Sequence, residues 1–300
     1  MSELQKIGLI GAGLMGKGIG KILLEKGYSV AVVAHSNRGP IDDLIERGAT
    51  EAATVAELAA AAQVIITCLP SIPSVHAVFE GPDGILENAA SGTAIIDTTT
   101  SDPELTQVLA AQAAEKGLHL VDAPLLGGPK MTWEGTISIV VGGDEAAMAA
   151  CSSVLGAFAA SVFHAGGAGS GHTAKLINNA VTLTNSAILY ESFTVAQKMG
   201  VDLETLFKVM DASMASSKRL HVIAPALMKN DHTKTFAVST ATKDVVLYSG
   251  MTTALGVPSL VGDATRALYQ LACGMGYGEE NVTRIATALA KLGGTSFGDE

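Results

Sequence analysis

Residues 7–18 read IGLIGAGLMGKG. An apolar run enters three glycines, Gly11, Gly13 and Gly16, in the order G-x-G-x-x-G, and the helix-forming stretch LMGKGIGKILLEKG follows. Strand, glycines, then helix is the context a dinucleotide-binding fingerprint requires. Gly11 permits the tight turn, Gly13 admits a pyrophosphate to the backbone, and Gly16 lets helix and strand pack closely. With Ala12, Leu14 and Met15 between them, these residues form a loop at a helix start, where unpaired N–H groups face phosphates. The stretch also fits most of a P-loop, G-x4-G-K. A P-loop needs Ser or Thr after the lysine to hold magnesium, and Gly18 stands there.

Outward from this loop, short β-branched runs at 6–10, 29–34, 63–69, 93–97, 118–123 and 137–143 alternate with helical patterns that end near turn residues. Continuous apolar strands alternating with helices predict a parallel sheet covered on both faces. After about residue 164 the pattern becomes helical throughout, with a long helix ending at Gly200 and further helices at 203–214, about 217–228, about 238–255 and about 260–275. The expected fold class is α/β: an amino-terminal doubly wound Rossmann domain, residues 1–164, then an all-helical domain, 165–300, linked by a long interdomain helix.

Composition narrows the function. Three hundred residues suit two domains, and 48% hydrophobic against 16% charged residues argue against disorder. A net charge of −10 with no run of lysine or arginine argues against nucleic-acid binding. No apolar run reaches the roughly 18–20 residues of a membrane span. Glu3 and the early glycines do not fit a signal peptide. Cys68, Cys151 and Cys273 are far apart in apolar settings and read as small hydrophobes, so a reducing, cytoplasmic protein is expected. The seven histidines show no zinc spacing, no C-x-x-C exists, and no metal site is expected.

The end of the second predicted strand selects the dinucleotide. An NAD site offers a carboxylate to the ribose hydroxyls about 20 residues beyond the glycines. Here the strand runs into His35, Ser36, Asn37 and Arg38, with no carboxylate before Asp42. Those groups suit a 2′-phosphate, so NADP is favoured over NAD. Farther on, GSGHTAKLINN (169–179) places Lys175, Asn178 and Asn179 at i, i+3 and i+4 of a helix, with Leu176, Ile177 and Val181 facing elsewhere. A cation beside two amides forms an oxygen-binding site, and a desolvated lysine can exchange a proton with an alcohol. His172 reads as a solvated helix-start residue.

Six motifs in order carry a resemblance: GAGLMGKG; TCLP (67–70); DTTTSDP (97–103); DAPLLGGP (122–129); GSGHTAKLINN; and KDVVL (243–247). Together they resemble the β-hydroxyacid dehydrogenase family, which includes 3-hydroxyisobutyrate dehydrogenases and tartronate semialdehyde reductases. The resemblance implies Lys175 as general acid and base, with Asn179 and Asn178 orienting substrate and lysine. It implies cofactor contacts from Leu69, Pro70, Ser74, Thr100 and Lys243, and substrate contacts at Leu126, Gly127 and Gly128. Asp244 is either a support for Lys243 or a surface carboxylate. A homodimer or homotetramer, with the active site between the domains, is the implied assembly.

Three departures bear on the expectation. Leu126 replaces the family's serine, which points to a larger or more apolar substrate. Ile19, Gly20 and Ile22 replace the family's Met, Ala and Asn, and Asn281 replaces a common Asp; these read as packing changes. Trp133, the only tryptophan, reads as cover for the domain junction. A dinucleotide-binding relative without turnover and an imine reductase-like enzyme are the alternatives. Lys175, which imine reductases generally lack, counts against the second.

Overall fold

The computed structural model describes residues 5–35 and 37–297. The chain divides into two compact units, one ending at Lys175 and the other beginning at Leu176.

The first unit carries strands β1 (Lys6–Ile10), β2 (Ser29–Val33), β3 (Thr50–Ala52), β4 (Val64–Thr67), β5 (Ala94–Asp97), β6 (His119–Asp122), β7 (Leu125–Leu126), β8 (Ser138–Gly142) and β9 (Ser161–Gly166). Its helices are α1 (Leu14–Glu25), α2 (Gly39–Glu46), α3 (Val55–Ala61), α4 (Ile72–Phe79), α5 (Ile85–Asn88), α6 (Pro103–Glu115), α7 (Pro129–Trp133) and α8 (Glu145–Phe158). The strand order is β3-β2-β1-β4-β5-β6-β8-β7, with β9 paired to β8. From β3 to β6 every pairing is parallel, whereas β8 runs antiparallel to β6 and β7. The chain goes from β1 to β2 on one side and returns to β4 on the other. A crevice therefore opens beyond the carboxyl ends of β1 and β4, where open α/β sheets bind ligands.

β4 and β5 are buried at every residue because both faces are covered. One face joins Leu9, Ile66 and Ile96 to Leu23 of α1 and Val154 of α8. The other joins Ile10, Ile65 and Ile95 to Leu58, Phe79 and Leu109. Each such side chain, fully buried, contributes roughly 1.5–3 kcal/mol of transfer free energy. Ile19 and Ile22 belong to the first core, and a Cβ at Gly20 would lie 2.9 Å from Leu9, so these three departures are packing residues.

α9 (Ser170–Met199) begins in the first unit and runs into the second. There follow α10 (Leu203–Asp211), α11 (Leu220–Met228), α12 (Val238–Ala254), α13 (Leu260–Ala272), a π-helical turn at Cys273–Tyr277, and α14 (Arg284–Gly293). Leu189, Tyr190, Phe193, Ile223, Tyr269 and Ile285 center the second unit's core. Asn281 is more than packing: its Oδ1 accepts from the N–H groups of Thr235 and Phe236, and its Nδ2 donates to Thr283. Strands β3, β7 and β9 and helices α5, α7, α8 and α14 go beyond the elements expected from the sequence. Among the described residues no helix is long and apolar enough to cross a membrane.

Candidate active site

The three glycines of the loop serve three different ends. Gly11 has φ +95°, and a Cβ there would stand 2.3 Å from the carbonyl oxygen of Cys68. At Gly16 a Cβ would meet Gly11 O at 2.2 Å, so helix and strand approach too closely for any side chain. Gly13 is the opposite case: a Cβ would meet nothing within 4 Å. Gly13 precedes α1 without a capping side chain, and no acidic residue lies in the first turn. A closely bent backbone, open space at Gly13 and an acid-free helix start fit a pyrophosphate. Ala12 is buried in the loop, Met15 is half-buried and Leu14 is exposed.

The ends of β4 and β5 are tied together by buried hydroxyls. Asp97 accepts from Thr67 Oγ1 at 2.8 Å and from the Thr99 N–H at 3.0 Å, while Thr99 Oγ1 accepts from the Leu69 N–H at 3.0 Å. Leu69 and Thr100 thereby follow two neighboring strand ends that are tied together, both residues half-buried, with Pro70 exposed. Ser71 caps α4 by accepting from the Ser74 N–H, and the two hydroxyls lie 2.8 Å apart.

Asp122, at the end of β6, holds the start of α9. It accepts from the Gly169 N–H at 2.8 Å and the His172 N–H at 2.7 Å, satisfying donors that a helix start leaves open. Burial pushes its carboxyl above the usual range; the nearby His172 and these two N–H groups pull it partly back. His172 is not solvated. It is completely buried, with Nε2 2.8 Å from the carbonyl of Thr99 and Nδ1 2.7 Å from Thr106 Oγ1. A carbonyl only accepts, so Nε2 carries a proton. His172 thus pins the turn before Thr100 to the first turn of α9.

One turn later, Lys175 is 8% exposed and its Nζ donates to the carbonyl of Leu125 at 2.6 Å. The ammonium is therefore fastened to the residue preceding Leu126. Leu126 is half-buried on β7, Gly127 packs on Met131 and Ile137, and Gly128 starts α7 with open space where a Cβ would stand.

In the second unit Asn179 is buried and donates from Nδ2 to Asp244 Oδ2 at 2.7 Å; its Oδ1 accepts from Asn178 at 3.1 Å. Asn178 is exposed, as are Ile177 and Val181, whereas Leu176 is completely buried. Asp244, 3% exposed, also lies 3.2 Å from Lys243 Nζ. Of the two readings open for Asp244, the buried one holds: it joins Asn179 on α9 to Lys243 on α12.

The polar turn after β2 is arranged differently from a waiting phosphate site. Ser36 lies outside the described residues, His35 and Asn37 are exposed, and Asn37 accepts from the Gly39 N–H at 3.2 Å. Arg38 pairs in two-pronged fashion with Glu51 at 2.8 and 2.9 Å, and with Asp42 at 3.1 and 3.3 Å. Glu51 was not among the expected site residues; it sits on β3, a strand too short and polar to read from periodicity. Trp133 is likewise placed by cations of the first unit: Lys17, Lys21 and Arg47 lie 5.2, 5.0 and 5.0 Å from its ring. Cys151 is completely buried, which pushes its thiol up to about 12, while Cys68 and Cys273 are half-buried. Among the described residues no three His, Cys, Asp or Glu side chains gather in a way that could hold a metal ion.

Comparison with known proteins supports this architecture. Residues 6–167 match the model of the NAD binding domain of 6-phosphogluconate dehydrogenase. Residues 169–289 match that of the NAD-binding domain of NADP-dependent 3-hydroxyisobutyrate dehydrogenase. The chain is 30% identical over 297 residues to 2-(hydroxymethyl)glutarate dehydrogenase of Eubacterium barkeri, covering 99% of this chain and 98% of that one. It is 28% identical to the mitochondrial 3-hydroxyisobutyrate dehydrogenase of Rattus norvegicus, over 95% of this chain and 87% of the relative. The crystal structure of a 3-hydroxyisobutyrate dehydrogenase from Salmonella typhimurium superposes with a TM-score of 0.85 at 25% identity, covering 96% and 99% of the two chains.

Proposed function

Because the chain belongs to the β-hydroxyacid dehydrogenase family of NAD(P)-dependent oxidoreductases, we propose that it transfers a hydride between NADP(H) and a small β-hydroxy acid or its semialdehyde. Lys175 is the general acid and base of this reading. The observation that carries it is the buried ammonium at the start of α9, fastened to Leu125 in the loop that carries Leu126, Gly127 and Gly128.

Gly11, Gly13 and Gly16 would hold the dinucleotide, whose chemistry there would be hydride donation to a carbonyl carbon. Lys175 supplies the proton to the carbonyl oxygen, and takes one from the hydroxyl in the reverse direction. An ammonium has three N–H donors, and the bond to Leu125 O fixes where the others point. Asn179 is held by Asp244 with its amide oriented, which suits a positioning role. Leu126 offers an apolar branch where a hydroxyl would bind a carboxylate. Losing one hydrogen bond to a charged group costs roughly 1.5–3 kcal/mol, so the favored substrates are the bulkier, more apolar members of the class. Self-association as a homodimer or homotetramer belongs to the same reading.

The test is NADPH and NADH oxidation against methylmalonate, tartronate and succinate semialdehydes and bulkier apolar homologues. With the best of these, Lys175→Ala is expected to lower kcat roughly 10²–10⁴-fold while dinucleotide Kd stays within twofold, the usual contribution of a proton-transfer group. An unchanged rate removes the lysine as proton carrier.

A further inference from the structure

Arg38 is the one guanidinium on the turn that follows β2, and both of its edges are taken. One edge makes parallel bonds of 2.8 and 2.9 Å to the two oxygens of Glu51; the other reaches a single oxygen of Asp42 at 3.1 and 3.3 Å. The parallel pairing of Val32 with Glu51 sets that carboxylate level with the end of β2, so the edge strand delivers it to the turn. A fork-to-fork pair with a carboxylate uses the same donors that would grip a phosphate.

We propose that Glu51 is a selectivity residue of the dinucleotide site, holding Arg38 in competition with the 2′-phosphate of NADP(H) and so keeping NAD(H) usable. The proposal rests on the reading above, in which the 2′-phosphate falls to Arg38. The group of Arg38, Asp42 and Glu51 carries a net charge of −1. A phosphate monoester adds about −1.5 to −2 near neutral pH. Binding NADP(H) therefore requires Arg38 to leave Glu51 and two carboxylates to tolerate the newcomer. NAD(H), with hydroxyls only, requires neither. Glu51 is the stronger competitor, because it makes the two shorter bonds and Asp42 offers one oxygen to both nitrogens.

Glutamine at 51 keeps the shape and removes the charge. An exposed ion pair is a weak interaction, so the expected scale is roughly a two- to fivefold change in a ratio of dissociation constants. The measurement is isothermal titration of the intact chain with 2′,5′-ADP and 5′-AMP, and with NADPH and NADH, at low salt. For Glu51→Gln the ratio Kd(5′-AMP)/Kd(2′,5′-ADP) is expected to rise about two- to fivefold, with the NADH/NADPH ratio following. Asp42→Asn is expected to move both ratios in the same direction by less, and Arg38→Ala to lower them. Ratios unchanged in Glu51→Gln but lowered in Arg38→Ala would overturn the role of Glu51 and leave Arg38 as the phosphate reader. Ratios unchanged in Arg38→Ala would overturn the 2′-phosphate reading itself, and Glu51's role with it. Folding of each variant is checked by its thermal midpoint, and Glu51→Asp, which keeps the charge, is expected to keep the low ratio.

Discussion

A Cβ at position 18 would stand 2.8 Å from two backbone atoms, Thr132 C and Trp133 N. Backbone cannot turn aside as a side-chain tip can, so any residue larger than glycine must push α1 off α7. Gly18→Ser, the change that would complete the P-loop pattern, is therefore expected to cost about 1–3 kcal/mol of stability, the usual penalty of overpacking. A urea midpoint equal to wild type would show that α7 yields freely. At this scale the sequence was legible wherever chemistry was local. The distinct duties expected of Gly11, Gly13 and Gly16 follow from their spacing alone, and at Gly11 and Gly16 a Cβ would indeed meet backbone at 2.3 and 2.2 Å. It was illegible wherever the partner lay far along the chain. His172 looked like a solvated first-turn residue, and its burial arises from Thr99 and Thr106, 73 and 66 residues away. Arg38 looked like a vacant phosphate reader because Glu51, 13 residues on, meets it only through the sheet edge.

Among elements, α9 has the most unusual beginning. Its orphan N–H groups are met by Asp122, 47 and 50 residues earlier in the chain, where most helices cap themselves with a neighboring side chain. Burial raises the Asp122 carboxyl, so the folded chain holds that proton more tightly than the unfolded one. A group of that sign stabilises the fold at low pH and loses its contribution as pH rises through the folded value. Asp122→Asn removes the titration and leaves one of the two N–H groups facing an amide N–H₂. The expected outcome is a deficit of about 1–3 kcal/mol, the cost of an unmet buried donor. That deficit is largest near pH 4, around the unfolded carboxylate value, and narrows above it. Urea midpoints of wild type and variant across pH 4–8 check this, and parallel curves would sink it. Four of the elements that escaped the sequence reading show physical reasons for it. TEA of β3 and LL of β7 are too short to show a period, and β9 is exposed along most of its length. In α14 three of the four buried residues are alanines, which mark a buried face only weakly.

At the scale of the whole molecule, α9 matters again for what its outer side leaves uncovered. Ile177, Val181, Ile188, Val195 and Met199 are between 49% and 74% exposed. Their steps of four, seven, seven and four residues place them along one side of the helix. Scattered surface hydrophobes need no explanation, but exposed apolar residues that recur along one side of a single helix suit an association surface. Heptad spacing is the repeat by which two helices pack along a shared seam, so a second copy of the same chain is a geometrically suitable partner. Single changes in the middle of the stripe, Val181→Glu and Ile188→Glu, would each place a carboxylate at the seam without touching the buried side of α9. Light scattering is expected to give wild type at least twice the 30.5 kDa chain mass, and the double variant that mass alone at the same concentration. A wild-type monomer would leave the stripe without this role. An unchanged oligomer in the double variant would place the interface on another surface.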